Sequence, residues 1–367
     1  MYAPSQKYNR SKKIIFALVV SSVILLSTEM TLQFLWGPPP PAVQVHSRIG
    51  FLEKYLVPDR SVFVPIYQQT PAAILKSDTS QIAIFGGSSV HGGSMGVTTD
   101  REFPAILNKK FSIQINNFGA PSLDSHDILR ICKELIEFPS AAWIFYTGHN
   151  DFGNAFFLQR YQGWGNSIQA HTRSFLEKSQ IYRWLRSKSK PWIVPAQKLD
   201  PQNQFQGDGI DTARRIHIEH DYLHNMERIL WLSEKNNIPV VVMTPASSVF
   251  TPPLQSCTEP SAQFYFEKAT TETTDSQSVT INYKKARDLD CIPLRMPSTT
   301  ILKLENLVQK YPHAMLIQTE DRLPQAQNIS VVREDIFSDN LHFSANGHVA
   351  MADILEPYIE TILQKEQ

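Results

Sequence analysis

Cysteine is scarce in this chain. Cys132, Cys257 and Cys291 are the only three in 367 residues. That is too few for a disulfide scaffold, and with no C-x-x-C pair they do not spell a zinc site. A charge excess is missing too. Lys plus Arg and Asp plus Glu each number 35, so the formal net charge is zero. A nucleic-acid partner, which calls for a basic face, gets no support from this balance. Internal repeats and low-complexity segments are absent. What is present suits a folded core: 42% apolar and 19% charged residues, in a length that allows one large domain with appendages or two domains.

One uncharged apolar run, Ile14–Leu26, stands near the start, preceded by Lys7, Arg10, Lys12 and Lys13. This is an export signal in outline. No clear A-x-A cleavage site follows, and the pattern continues through Ser27–Trp36 with only Glu29 charged. Taken as one helix, residues 14–36 are long enough to span a bilayer, with Trp36 at an interface and the basic tail 1–13 in the cytoplasm. An uncleaved anchor is favoured over a cleaved signal peptide, and both over a buried helix. The prolines of Gly37–Ala42 cannot continue the helix and read as a stiff spacer. Residues 37–75 form a linker and N-terminal extension with β-like pieces such as Ser61–Tyr67.

From residue 76 to 367 apolar runs alternate with amphipathic stretches. Strands are predicted at Gln81–Phe85, Ile113–Phe118, Ala141–Tyr146, Ile238–Met243 and Ala314–Gln318. Helices are predicted at Glu102–Phe111, Leu123–Glu137, Ala213–Lys235 and Ser298–Lys310, and a last one capped by Ser344 runs to about Leu363. Cys132 belongs to the apolar stripe of the second helix. Residues 152–212 and 245–298 read as irregular insertions. Alternating strands and helices predict a parallel sheet with right-handed crossovers. Five strands suit a flavodoxin-like, doubly wound α/β/α sheet.

Polar residues gather at the predicted strand ends. Gln81–Gly93 runs from an apolar strand into a glycine turn carrying Ser88 and Ser89. Gly119 follows the second strand, and Gly148–His149–Asn150–Asp151 follows the third. In a parallel sheet these ends share one edge. Near the C-terminus, Asp339 and His342 stand three apart in Phe337–Phe343. A serine becomes a nucleophile when a histidine takes its proton, and a carboxylate orients that histidine. Backbone N–H groups of Ser88 and Gly119 and the Asn150 amide could stabilise an oxyanion. Singly, each feature has a plain explanation: a helix cap, a tight turn, a solvated loop histidine. Their joint order is what carries weight.

These residues resemble the SGNH or GDSL hydrolases over roughly residues 80–363. The Gly-Asp-Ser block is matched by Gly86–Gly87–Ser88, with glycine for aspartate, a variant associated with exported and membrane-anchored bacterial members. The second-block glycine is matched by Gly119, and Gly-x-Asn-Asp in full by Gly148–Asp151. Asp-x-x-His is matched by Asp339 and His342, followed by Gly347. The segment Ala286–Pro297 also looks like a stretch of such proteins and has no assigned role. The lipase elbow G-x-S-x-G is absent, which disfavours the ordinary α/β-hydrolase fold.

The resemblance implies a serine ester hydrolase on a membrane anchor, its domain extracytoplasmic. Ser88, His342 and Asp339 would form the triad, and Ser88, Gly119 and Asn150 the oxyanion hole, with no metal or organic cofactor. The partner would be a small-molecule, lipid or glycan ester. The rivals are an acyltransferase using the same residues on an envelope glycan, and a non-catalytic binding module. Phe152, Phe156, Phe157, Tyr161 and Trp164 could stack on a sugar or line an acyl groove, or form the first insertion's own core. In an oxidising compartment Cys257 and Cys291, in one insertion, are expected to pair.

Overall fold

The central strands form here where apolar residues run almost without a break, because both faces of the sheet are to be covered. The computed structural model describes residues 6–36, 81–92, 97–111, 113–121, 123–136, 138–157, 179, 181, 209–272 and 275–366. In chain order its elements are α1 (Gln6–Trp36), β1 (Gln81–Gly86), α2 (Ser88–His91), α3 (Phe103–Lys110), β2 (Ile115–Gly119), α4 (Ser125–Leu135), β3 (Ser140–Tyr146) and α5 (His149–Phe157). There follow α6 (Thr212–Lys235), β4 (Val240–Met243), α7 (Ala262–Thr271), α8 (Ser276–Leu289), α9 (Ser298–Val308), β5 (Ala314–Ile317), α10 (Thr319–Arg322) and α11 (Ala345–Glu366).

The five strands pair in parallel in the order β2-β1-β3-β4-β5, the flavodoxin-like order expected. Side chains alternate between two cores, as the pleat requires. Ala83, Phe85, Trp143, Phe145, Val240 and Val242 face Ile128, Ile218, Met226 and Leu304 of α4, α6 and α9. Ile82, Ile84, Ile144, Val241 and Met243 face Leu107 of α3 and Met351, Leu355 and Ile359 of α11. Cys132 lies in the first of these cores. Helices α4 and α6 start at side-chain caps: Asp124 accepts the Asp127 N–H, and Asp211 that of Arg214. Ser344 Oγ accepts the Gly347 N–H at 3.2 Å, the cap expected for α11.

Residues 245–298 differ from expectation. They are not irregular but contain α7 and α8, capped by Ser261 and Asp275. Ala269, Val279 and Tyr283 close a small core of their own with Val249 and Val331. The apolar stripe is narrow amid Ser, Thr, Gln and Lys, so its period was hidden. Cys257 and Cys291 form a disulfide. Of the first insertion, residues 152–157 belong to α5. Phe152 is buried in the main core, so it neither stacks on a ligand nor belongs to a separate one. Tyr161, Trp164, the side chains of Phe156 and Phe157, and the extension 37–75 lie outside the described residues.

The chain divides into two units, Met1–Ala42 with Gly163–Gln197, and Val43–Gln162 with Lys198–Gln367. In the first, α1 contains a 20-residue window, Lys12–Thr31, with mean hydropathy 2.0 and no buried share. It is long and apolar enough to cross a membrane. Glu29 is half-buried in that unit, accepting from Ser179 Oγ at 2.8 Å and the Ile181 N–H at 3.0 Å.

Candidate active site

Register sets the site. Gly86 pairs with Gly119 on one side and Tyr146 on the other, so three strands end abreast. Beyond β1 the chain turns at Gly87, and Ser88 opens α2. A Cβ at Gly87 would collide with the Asn150 amide nitrogen. Glycine at 87 therefore lets the start of α5 close over the Ser88 turn.

Asp339 and His342 arrive from the loop before α11. Phe337 bridges to Phe343, and their rings stack 5.4 Å apart against the second core. The Ser338 N–H donates to His342 O at 2.8 Å. Apolar anchors thus hold both ends of a polar loop over the sheet edge. His342 Nε2 lies 2.6 Å from Ser88 Oγ, and His342 Nδ1 lies 2.6 Å from Asp339 Oδ2. With Nδ1–H donating to the carboxylate, Nε2 is the acceptor for the serine proton. Asp339 Oδ1 accepts the N–H groups of Leu341 at 2.9 Å and His342 at 2.8 Å. Burial by itself would raise the Asp339 carboxyl, but His342 and these N–H donors outweigh it and hold it below its ordinary value.

Ser89 is set apart from Ser88 by one bond. Its Oγ donates to Leu341 O at 3.0 Å, tying α2 to the histidine loop. The match of Gly86–Gly87–Ser88 to the Gly-Asp-Ser block ranks Ser88 first, while the strand-and-turn pattern by itself does not separate the two serines.

The three expected oxyanion donors are differently disposed. Ser88 N–H is at the first turn of α2, where no preceding helical carbonyl exists. Asn150 Nδ2 gives one hydrogen to Leu123 O at 2.8 Å and keeps a second. Gly119 N–H is engaged, donating to Asn117 Oδ1 at 2.7 Å. Asn117 Nδ2 in turn donates to Glu102 at 2.9 Å. Asn117 is a site neighbour that strand periodicity conceals, since it reads as one more residue of β2.

Other neighbours were also missed. His149 is fully enclosed: its Nε2 is 3.0 Å from Ala246 O, and its Nδ1 accepts the Met296 N–H at 3.0 Å. Burial lowers its pKa to about 4, so it is a neutral link between turns. Asp151 accepts from Ser125 Oγ at 2.5 Å and from the Ser125 N–H. Burial, then the nearby Asp124, pushes the Asp151 carboxyl well up. Tyr146 OH donates to Ala246 O and accepts its N–H, each at 3.0 Å. A notch of about 10 Å³ beside Ser88 is lined by Leu123, Tyr146, Thr147, His149 and Asn150. The buried Thr147 hydroxyl there has no hydrogen-bond partner. Among the described residues, no three His, Cys, Asp or Glu side chains are grouped to hold a metal ion.

No family model matches the chain, and no curated protein matches it. Solved structures do resemble it. A GDSL-like lipase from Bacteroides thetaiotaomicron is 11% identical, with a TM-score of 0.44, over 81% of this chain and 96% of that one. An acylhydrolase candidate from Bacteroides fragilis is 12% identical, with a TM-score of 0.44, over 83% and 99%. A lipase from Streptomyces rimosus is 11% identical, with a TM-score of 0.41, over 76% and 99%. Over most of its length the chain is similar to GDSL-like lipases and acylhydrolases of known structure.

Proposed function

We propose that this chain is a serine ester hydrolase of the SGNH/GDSL kind, working through an acyl-enzyme. The observation that carries this reading is the unbroken relay from Ser88 Oγ to His342 Nε2 and from His342 Nδ1 to Asp339, with 2.6 Å at each link. Ser88 attacks the ester carbonyl while His342 takes its proton. His342 then delivers that proton to the leaving alcohol. Asp339, kept ionised, orients the ring and stabilises the imidazolium. Ser88 N–H and the second Asn150 amide hydrogen stabilise the oxyanion. Gly119 N–H joins them once Asn117 releases it. Water enters as the second nucleophile and His342 activates it. The apolar stretch of α1, with the basic residues of its first turns before it, serves as an anchor, with residues 37–367 outside the cytoplasm.

The test is labelling by a fluorophosphonate, followed by single turnover of an activated ester. Label on Ser88 and release of free acid support the reading. Label on Ser89 moves the nucleophile by one residue. Transfer of the acyl group to an added glycan faster than to water makes the protein an acyltransferase.

A further inference from the structure

The stretch Ala286–Pro297 acquires a role from its contacts. Arg287, Asp290 and Arg295 are all buried. Arg295 Nη1 donates to Ser248 O at 3.0 Å and Thr251 O at 3.2 Å, and Nη2 faces Asp290 Oδ2 at 3.4 Å. Asp290 also accepts the N–H groups of Leu254, Gln255 and Ile292. Ser248, Thr251, Leu254 and Gln255, in the segment after β4, are therefore held by one ion pair. That turn meets the acid–base loop directly, because the Ser248 N–H donates to Asn340 O at 2.9 Å. Asn340 lies between Asp339 and the backbone N–H groups that hold it. On the other side, Met296, next to Arg295, donates its N–H to His149 beside Asn150. His149 closes the circuit by bonding Ala246 of the same turn.

We propose that Arg295, seated by Asp290, is a positioning residue for catalysis. By holding Ser248 and Thr251 it sets the height of the Asp339–His342 loop over Ser88, and through Met296 and His149 it sets the Asn150 turn against the same reference. The proposal rests on the reading of Ser88, His342 and Asp339 as the catalytic relay. Buried ion pairs are weak sources of net stability, since apolar replacements are often neutral or better. Reacting groups, by contrast, are sensitive to displacements of about 1 Å, which can cost roughly a hundredfold in rate. The plain alternative is a pair that only stabilises the fold.

The experiment counts active sites before comparing rates. Full-length wild type, Arg295→Met and Arg295→Lys are purified in detergent and titrated with a fluorophosphonate. Turnover of p-nitrophenyl acetate is then expressed per labelled Ser88. Ile229→Val, a core change far in sequence from the site, serves as the destabilised control. The expected result is a kcat per labelled site about ten- to a hundredfold lower in Arg295→Met. KM should change little, Arg295→Lys should recover part of the loss, and the control should stay at the wild-type value. A kcat per labelled site equal to wild type, with only the melting temperature lowered, overturns the proposal. Should Arg295→Met not accumulate, Asp290→Asn measured in the same way decides it. Wild type that neither labels nor turns over overturns the nucleophile reading, and the proposal with it.

Discussion

Ser88 and Ser89 are adjacent and chemically identical, yet one faces His342 Nε2 and the other Leu341 O. Ser88→Ala should therefore cost at least about 10⁴-fold in kcat and abolish labelling, while Ser89→Ala keeps the label. His342→Ala should be as severe as Ser88→Ala, and Asp339→Ala milder by about a hundredfold, because an unaligned imidazole still accepts a proton. Steady-state kinetics of the three variants would show this, and equal activity in His342→Ala and wild type would sink the relay. At Gly87 the space is already occupied by the Asn150 amide. Gly87→Ala should displace that donor and lower kcat by about a hundred- to a thousandfold with KM little changed, in the range of losing one oxyanion contact. These assignments were half legible. The motif residues could be picked from their spacing, but the engagement of Gly119 by Asn117 and the enclosure of His149 needed coordinates.

Elements behave differently. The strands could be read to within a residue or two because both sheet faces are buried, which turns β1, β3 and β4 into near-continuous apolar runs, while β2 showed by its alternation. The α7–α8 pair escaped because it packs a narrow stripe on a small satellite core, and polar surface dominates its sequence. The disulfide between Cys257 and Cys291 ties that pair's flank to the stretch carrying Arg295. It closes a loop of 34 residues, so in the chain-entropy account Cys257→Ser costs about 3–4 kcal/mol. Thermal unfolding with and without reductant measures this. Identical melting temperatures for the variant and the untreated protein would contradict it.

At the scale of the whole molecule, two buried imidazoles weaken the fold in acid, against the raised carboxyls of Asp151 and Asp290, which act in the opposite sense. His149 and His348 are lowered to about 4, both chiefly by burial. Unfolded, each would titrate near 6.5. Between these values the unfolded chain binds more protons than the folded one, so acid favours unfolding. The stabilisation is complete above about pH 6.5, falls as the pH drops towards 4, and changes no further below that. Each imidazole contributes about 3 kcal/mol at most. Denaturant midpoints taken from pH 7 to 4 should fall less in His348→Gln than in wild type, and equal slopes would contradict this. The apolar helix adds a second expectation at this scale. Carbonate-washed membranes should retain the full-length chain, and a mature N-terminus between residues 27 and 45 would mark a cleaved signal instead.

The sequence by itself determined the class of fold and the candidate chemistry. Alternating strand and helix periods admit few architectures, and strand-end residues in a parallel sheet must share one edge. The tertiary structure alone decided how closely Ser88 meets His342, which backbone N–H is already engaged, and what Ala286–Pro297 touches. Those outcomes depend on contacts between residues dozens to hundreds of positions apart, such as Ser248 with Asn340 and Met296 with His149. Local pattern carries no record of such contacts, because a hydrogen bond's partner is set by where the packed core delivers each turn.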